Sequence, residues 1–292
     1  MSRFNFDAIG TSWEINATSP LGFETKRRIL DFAEQFDAVY SRFREDSVIS
    51  RIAEAKNGGT FEFPSSGARM FDLYDRLHQA TDGAVDPLVG RDLELLGYDK
   101  HYSLVPSSGT IVADVVRRPV WSRDVVRHGS AIVTQRPVVI DLGAIGKGHL
   151  VDLTSRLLVM DGIEEFTIDA SGDMTHRGDE TLDVGLEHPL DPKMVVGIAH
   201  LRNASLCASA INRRRWGVGL HHVLDGRTGA PVHDVLATWV VAGDTAAADG
   251  LATALFFVPA SRLRPHFDFA FVRMFADGRA EVSDNFDGEV FT

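Results

Sequence analysis

The sequence predicts an α+β protein in which helices pack on mixed or antiparallel sheets, and two observations carry that expectation. Four amphipathic helical stretches stand far apart along the chain. The apolar segments between them come as adjacent hairpin-like runs rather than in the regular strand–helix alternation of a doubly wound sheet. At 292 residues, 44% of them apolar, the chain has ample material for a buried core.

In order, Ile29, Ala33, Phe36, Tyr40 and Phe43 step by four and three and mark one face of a first helix. Met70, Leu73, Leu77 and Ala80 repeat the pattern over residues 66–80, which Asp82-Gly83 stops. A third helix is expected to start at Gly146-Lys147-Gly148 and to carry Leu150, Leu153, Leu157 and Leu158 inward. A fourth spans residues 244–257, with Asp244 as cap. Strand character marks residues 138–142, 166–170, 181–187, 194–201, 238–242 and 267–275. Residues 101–136 are the least patterned and read as irregular surface structure.

A formal net charge of −11 excludes broad electrostatic binding to nucleic acid or to anionic membranes, so any anionic ligand must be held locally. The one cysteine, Cys207, excludes an intramolecular disulfide. No apolar run reaches the length of a membrane span, and the first residues show neither a signal-peptide core nor a lipobox cysteine, so the expected location is cytoplasmic.

Three segments carry chemistry. Residues 138–152, VVIDLGAIGKGHLVD, read as strand, glycine-rich turn and helix, an anion-binding geometry to which Lys147 adds a charge. It is not a Walker A loop, because Asp141 and Gly148 stand where that motif needs Gly and Ser or Thr. The glycine order likewise breaks the Rossmann fingerprint. A plain strand-to-helix turn with a surface lysine stays open. Asp249 and Thr253, four residues apart, share one face of the fourth helix and suit a hard cation such as Mg²⁺; a solvated face or cap is the alternative. In His221-His222-Val223-Leu224-Asp225-Gly226-Arg227-Thr228-Gly229, a histidine at a strand end is a candidate general acid or base, or a buried structural group. Asp82-Gly83-Ala84-Val85-Asp86-Pro87 reads as turn chemistry.

The order of blocks along the chain is more informative than any one of them. Gly10-Thr11-Ser12-Trp13, then SRFREDSVIS at 41–50, then 82–90, DLGAIGKG at 141–148, HVLDGRTG at 222–229 and ADGLAT at 248–253 together resemble the ApbE family of FAD:protein FMN transferases. The resemblance covers nearly the whole chain. It implies a single ApbE-like domain over residues 1–292, or two intimate lobes with an FAD groove between them. It also implies Mg²⁺ on the pyrophosphate of FAD, transfer of the FMN half to a Thr or Ser hydroxyl of an acceptor protein, and release of AMP. Carried over, Asp249 and Thr253 would be metal ligands, joined by the backbone carbonyls of Ala144 and Ala252. Ile9, Ala84, Val85, Asp86, Asp141, Lys147 and Val223 would contact the flavin nucleotide, and His222 would take the proton of the acceptor hydroxyl. The alternatives are an FAD pyrophosphatase yielding FMN and AMP, and a non-catalytic FAD-binding protein.

The chain departs from the family pattern at four places. Ala208-Ser209-Ala210 replaces Thr-Ser-Gly, Ala53 replaces Asn, Asp225-Gly226 replaces Asp-Pro, and the export signal of many members is missing.

Overall fold

The computed structural model describes residues 2–107 and 118–291. Its centre is an eight-stranded sheet in the order Ser2–Ala8, Thr11–Ala17, Phe166–Asp169, Asp173–Arg177, Ala204–Ala210, Val235–Ala242, Ala270–Phe275, Ala280–Val282. Every ladder in it is antiparallel. Successive side chains point to opposite faces, and the sheet uses both. Cys207 and Val240 face a core built with the helices, while Leu206 and Trp239 face a second core. A three-stranded sheet of Leu182–His188, Asp191–Leu201 and Gly288–Val290 closes that second core with Leu186, Ala199 and Leu201. The α+β expectation therefore holds. Among the described residues no helix is long and apolar enough to cross a membrane.

The helices follow the apolar periodicity. Phe23–Tyr40 buries Ile29, Ala33, Phe36 and Tyr40. Gly67–Ala80 buries Met70, Leu73 and Leu77, and Gly146–Met160 buries Leu150, Leu153, Leu157 and Leu158. Thr245–Ala254 begins at the Asp244 cap, whose side chain accepts from the Ala247 N–H. Asp152 reaches across from Gly146–Met160 to accept from the Thr245 and Ala246 N–H groups (2.8 and 3.0 Å), which locks the two helices together. They cross so closely that a Cβ on Gly148 would lie 2.4 Å from the Thr245 carbonyl oxygen.

Three local expectations are corrected, and one element is added. The first helix ends at Tyr40 because Ser41 turns extended, so Phe43 leaves the helical stripe and packs near Tyr98 and Trp216 instead. Residues 138–142 form no ladder. Val138, Ile140 and Leu142 are buried in the core, and the Asp141 N–H donates to the Pro87 carbonyl, so the apolar alternation reports burial without strand pairing. Within 101–136, the helical turn Trp121–Asp124 and the hairpin Val125–His128/Ala131–Thr134 are ordered around buried Trp121; residues 108–117 lie outside the described part. The N-terminal hairpin Ser2–Ala8/Thr11–Ala17, which the sequence reading passed over, forms the sheet edge.

His149 is buried with no hydrogen-bond partner for Nε2 among the described residues, and burial pushes its pKa down to about 4. The unfolded chain binds a proton near pH 6.5 that the folded chain refuses until about pH 4. Stability is therefore lost as the pH falls through that window. Urea unfolding at pH 7 and pH 5 should show the wild type losing about 2 kcal/mol more than His149→Leu over that interval; equal losses would remove His149 as the cause.

Candidate active site

The sheet's helical side opens into a cleft of about 810 Å³. Ile9, Ala84, Val85, Asp86, Asp141, Ala144, Lys147, His222, Val223, Asp249 and Thr253 all line it, as do Gly10, Thr11, Ser41 and Arg42, so residues from six sequence blocks meet in one place. Ala252 does not line the cleft; it is buried, and its carbonyl accepts from Thr238 Oγ1 at 2.7 Å.

At the floor, two buried carboxylates face one ammonium. Lys147 Nζ donates to the carbonyls of Ala170 (3.0 Å) and Ser171 (3.3 Å) and pairs with Asp173 Oδ2 at 3.1 Å. Its ammonium is thus directed at the turn between two central strands, and the lysine pins the start of Gly146–Met160 to that turn. Asp249 Oδ2 accepts the Gly148 N–H at 3.0 Å. Burial and the neighbouring Asp173 carboxylate push the Asp249 pKa well up. Burial opposes the charge on Lys147, but Asp173 and Asp249 outweigh it and hold its pKa above the ordinary lysine value. The cluster has one carboxylate more than its ammonium neutralises. Among the described residues no three His, Cys, Asp or Glu side chains converge as a ready-made cage. A cation here would draw on Asp249, the Thr253 hydroxyl, a main-chain carbonyl such as that of Ala144, and oxygens of a ligand, a donor set suited to Mg²⁺.

On the next stretch of wall, Asp141 is fully engaged. Oδ1 accepts from the Gly143 N–H (2.8 Å), and Oδ2 accepts from Arg42 Nε (2.5 Å). Burial raises the pKa of this carboxyl, but the Arg42 guanidinium overcomes that and holds it below the usual range. Arg42 in turn sits over the rings of Phe43 (4.2 Å) and Tyr98 (5.1 Å).

Asp86 serves the frame. Its Oδ1 caps the turn Pro87–Val89 at the Leu88 N–H (2.8 Å), and its Oδ2 accepts from the Trp121 N–H (3.0 Å). The Ala84 carbonyl accepts from the Gly226 N–H at 2.9 Å, which fastens this turn to the block that holds His222. Burial, with Arg214 next, lowers the His222 pKa to about 3, so the imidazole is neutral at pH 7 and its Nδ1 has no partner among the described residues. Ile9 occupies the two-residue turn of the N-terminal hairpin with φ +45°, an uncommon conformation for a β-branched residue.

Asp173 and Arg42 were missed as site residues. Ser171-Gly172-Asp173, a glycine turn between two short strands, was the available signal for the first. Arg42 stands within the 41–50 segment, but its partner Asp141 is 99 residues away and no local pattern links them. Of the departures from the family pattern, Ala208, Ser209 and Ala210 do line the cleft, whereas Ala53 lies on the helix Val48–Glu54 and is not among the lining residues.

The model of the ApbE family matches residues 9–267. The FAD:protein FMN transferase of Salmonella typhimurium is 24% identical over 85% of this chain and 75% of its own length. Among solved structures, the flavin transferase ApbE from Vibrio cholerae superposes with a TM-score of 0.83 at 21% identity, covering 97% of this chain and 96% of that one. The ApbE protein from Thermotoga maritima gives 0.82 at 25%, with the same coverage. A match over that span, with the ordered blocks gathered in one cleft, makes this chain a member of the ApbE family.

Proposed function

We propose that the chain is a magnesium-dependent FAD:protein FMN transferase, which attaches FMN to a Thr or Ser hydroxyl of an acceptor protein and releases AMP. One observation carries the reading: a buried, carboxylate-rich floor at a helix start inside a cleft whose walls carry arginines, Arg42, Arg213, Arg214 and Arg215 among them, beside apolar and aromatic groups. Such a floor takes a hard cation and with it a pyrophosphate, which reconciles a net charge of −11 with a phosphate-bearing ligand. When bound, the magnesium ion neutralises charge on the pyrophosphate.

The chain's own residues do the rest. Asp249, held by the Gly148 N–H, and Thr253 present oxygens from one helical face. Lys147 and Asp152 keep the two helix starts in register. The acceptor oxygen attacks the flavin-side phosphorus, the bond from that phosphorus to the bridging oxygen breaks, and AMP leaves with the bridging oxygen. His222, neutral before binding, accepts the hydroxyl proton, and the negative phosphates nearby raise its basicity from the value set by burial.

Incubation with FAD, Mg²⁺ and a protein acceptor of the curated relatives should release AMP and bind flavin covalently to the denatured acceptor in equal amounts. AMP with free FMN in the absence of acceptor would instead assign an FAD pyrophosphatase. Bound FAD with no AMP would assign a binding protein without turnover.

A further inference from the structure

The Arg42 side chain is only 3% exposed, yet Nη1 and Nη2 have no hydrogen-bond partner among the described residues. Leaving two guanidinium donors buried and unmatched is unfavourable, and the residue lines the cleft. Its charge is already balanced by Asp141 through Nε, so what the side chain lacks is acceptor atoms rather than an anion. Around it stand flat apolar surfaces: Phe43 at 4.2 Å, Tyr98 at 5.1 Å, and Trp216 stacked on Tyr98 at 5.5 Å. A planar fork of donors beside aromatic rings matches the edge of a planar heterocycle that carries neighbouring acceptors. The pyrimidine end of isoalloxazine has such an edge, with carbonyl oxygens next to ring nitrogens. Adenine instead sets an amine donor beside its acceptor.

We propose that Arg42 is the residue that selects the flavin half of the ligand, its Nη pair donating to the carbonyl-bearing edge of the isoalloxazine ring. The proposal rests on the FAD reading above and adds to it where the flavin ring lies and what recognises it.

The test separates the two halves of FAD by measuring equilibrium binding of riboflavin and of ADP to the wild type, Arg42→Met and Arg42→Lys, each checked by thermal melting. Arg42→Met should lose about 10- to 100-fold in riboflavin affinity, with ADP affinity unchanged. Arg42→Lys keeps a cation for Asp141 but loses the fork, so it should show the same selective loss, and it decides the matter where the Met variant does not fold. Unchanged riboflavin affinity, or an equal loss for ADP, would overturn the proposal while leaving the FAD reading standing. A wild type that binds neither riboflavin nor FAD would sink both.

Discussion

Asp249→Asn should lower AMP release from FAD by about a thousandfold, on the order of 4 kcal/mol of transition-state stabilisation, while the folded protein keeps or gains stability. The two halves of that expectation come from the same geometry. Asp249 is buried beside Asp173, and its pKa is raised well above the unfolded value. A group shifted in that direction contributes stability only at low pH and loses it as the pH rises through the folded pKa, so without metal this buried carboxyl is a burden on the fold above that pKa. Asparagine removes the burden and still offers an oxygen to the Gly148 N–H, but it no longer provides a carboxylate for a cation. AMP release at saturating Mg²⁺, and thermal melting in chelator, check the two halves. Full activity in the variant would refute Asp249 as a metal ligand, and a large loss of melting temperature would refute the electrostatic account of the cluster.

Gly226→Pro should destabilise the chain by about 3 kcal/mol or more and weaken FAD binding with it. The family pattern has proline here, so the substitution looks conservative on paper. In this chain, however, the Gly226 N–H donates to the Ala84 carbonyl at 2.9 Å, and a Cβ at this position would lie 2.6 Å from both Asp86 Cβ and the Gly83 carbonyl oxygen. Proline would remove the hydrogen bond and push the turn at residues 83–86 off the wall of the cleft. Gly226→Ala keeps the N–H and isolates the clash. Thermal melting and FAD titration measure both effects; wild-type behaviour of the proline variant would mean that the two turns shift together.

Legibility in the sequence followed the range of the interactions. Helices whose packing is a matter of period, such as Met70, Leu73 and Leu77, could be read directly, because one buried stripe repeats every turn. Phe43 kept the period after the helix had ended, since periodicity does not register the extended turn at Ser41. The N-terminal hairpin was missed because its Ile9-Gly10 turn lacks the Asn-Gly or Asp-Gly signature and its edge strand, Ser2–Ala8, is only half-buried. In the site, Asp249, Thr253, Asp141 and Lys147 belong to motifs with local spacing. The role of Lys147 as a pin, and the presence of Asp173 and Arg42, depend on partners distant along the chain: Lys147 to Ala170 spans 23 residues and Arg42 to Asp141 spans 99.

The turn at Ile9 sets a trade between durability and use. A β-branched residue held at φ +45° costs about 1–3 kcal/mol of backbone strain, and glycine or asparagine would relax it. Either replacement would also strip an apolar side chain from the cleft lining. Selection for thermal tolerance alone would therefore draw this position away from isoleucine, and selection for ligand grip would hold it there. A ligand gripped by Ile9 would make the hairpin edge a place where endurance is given up for function.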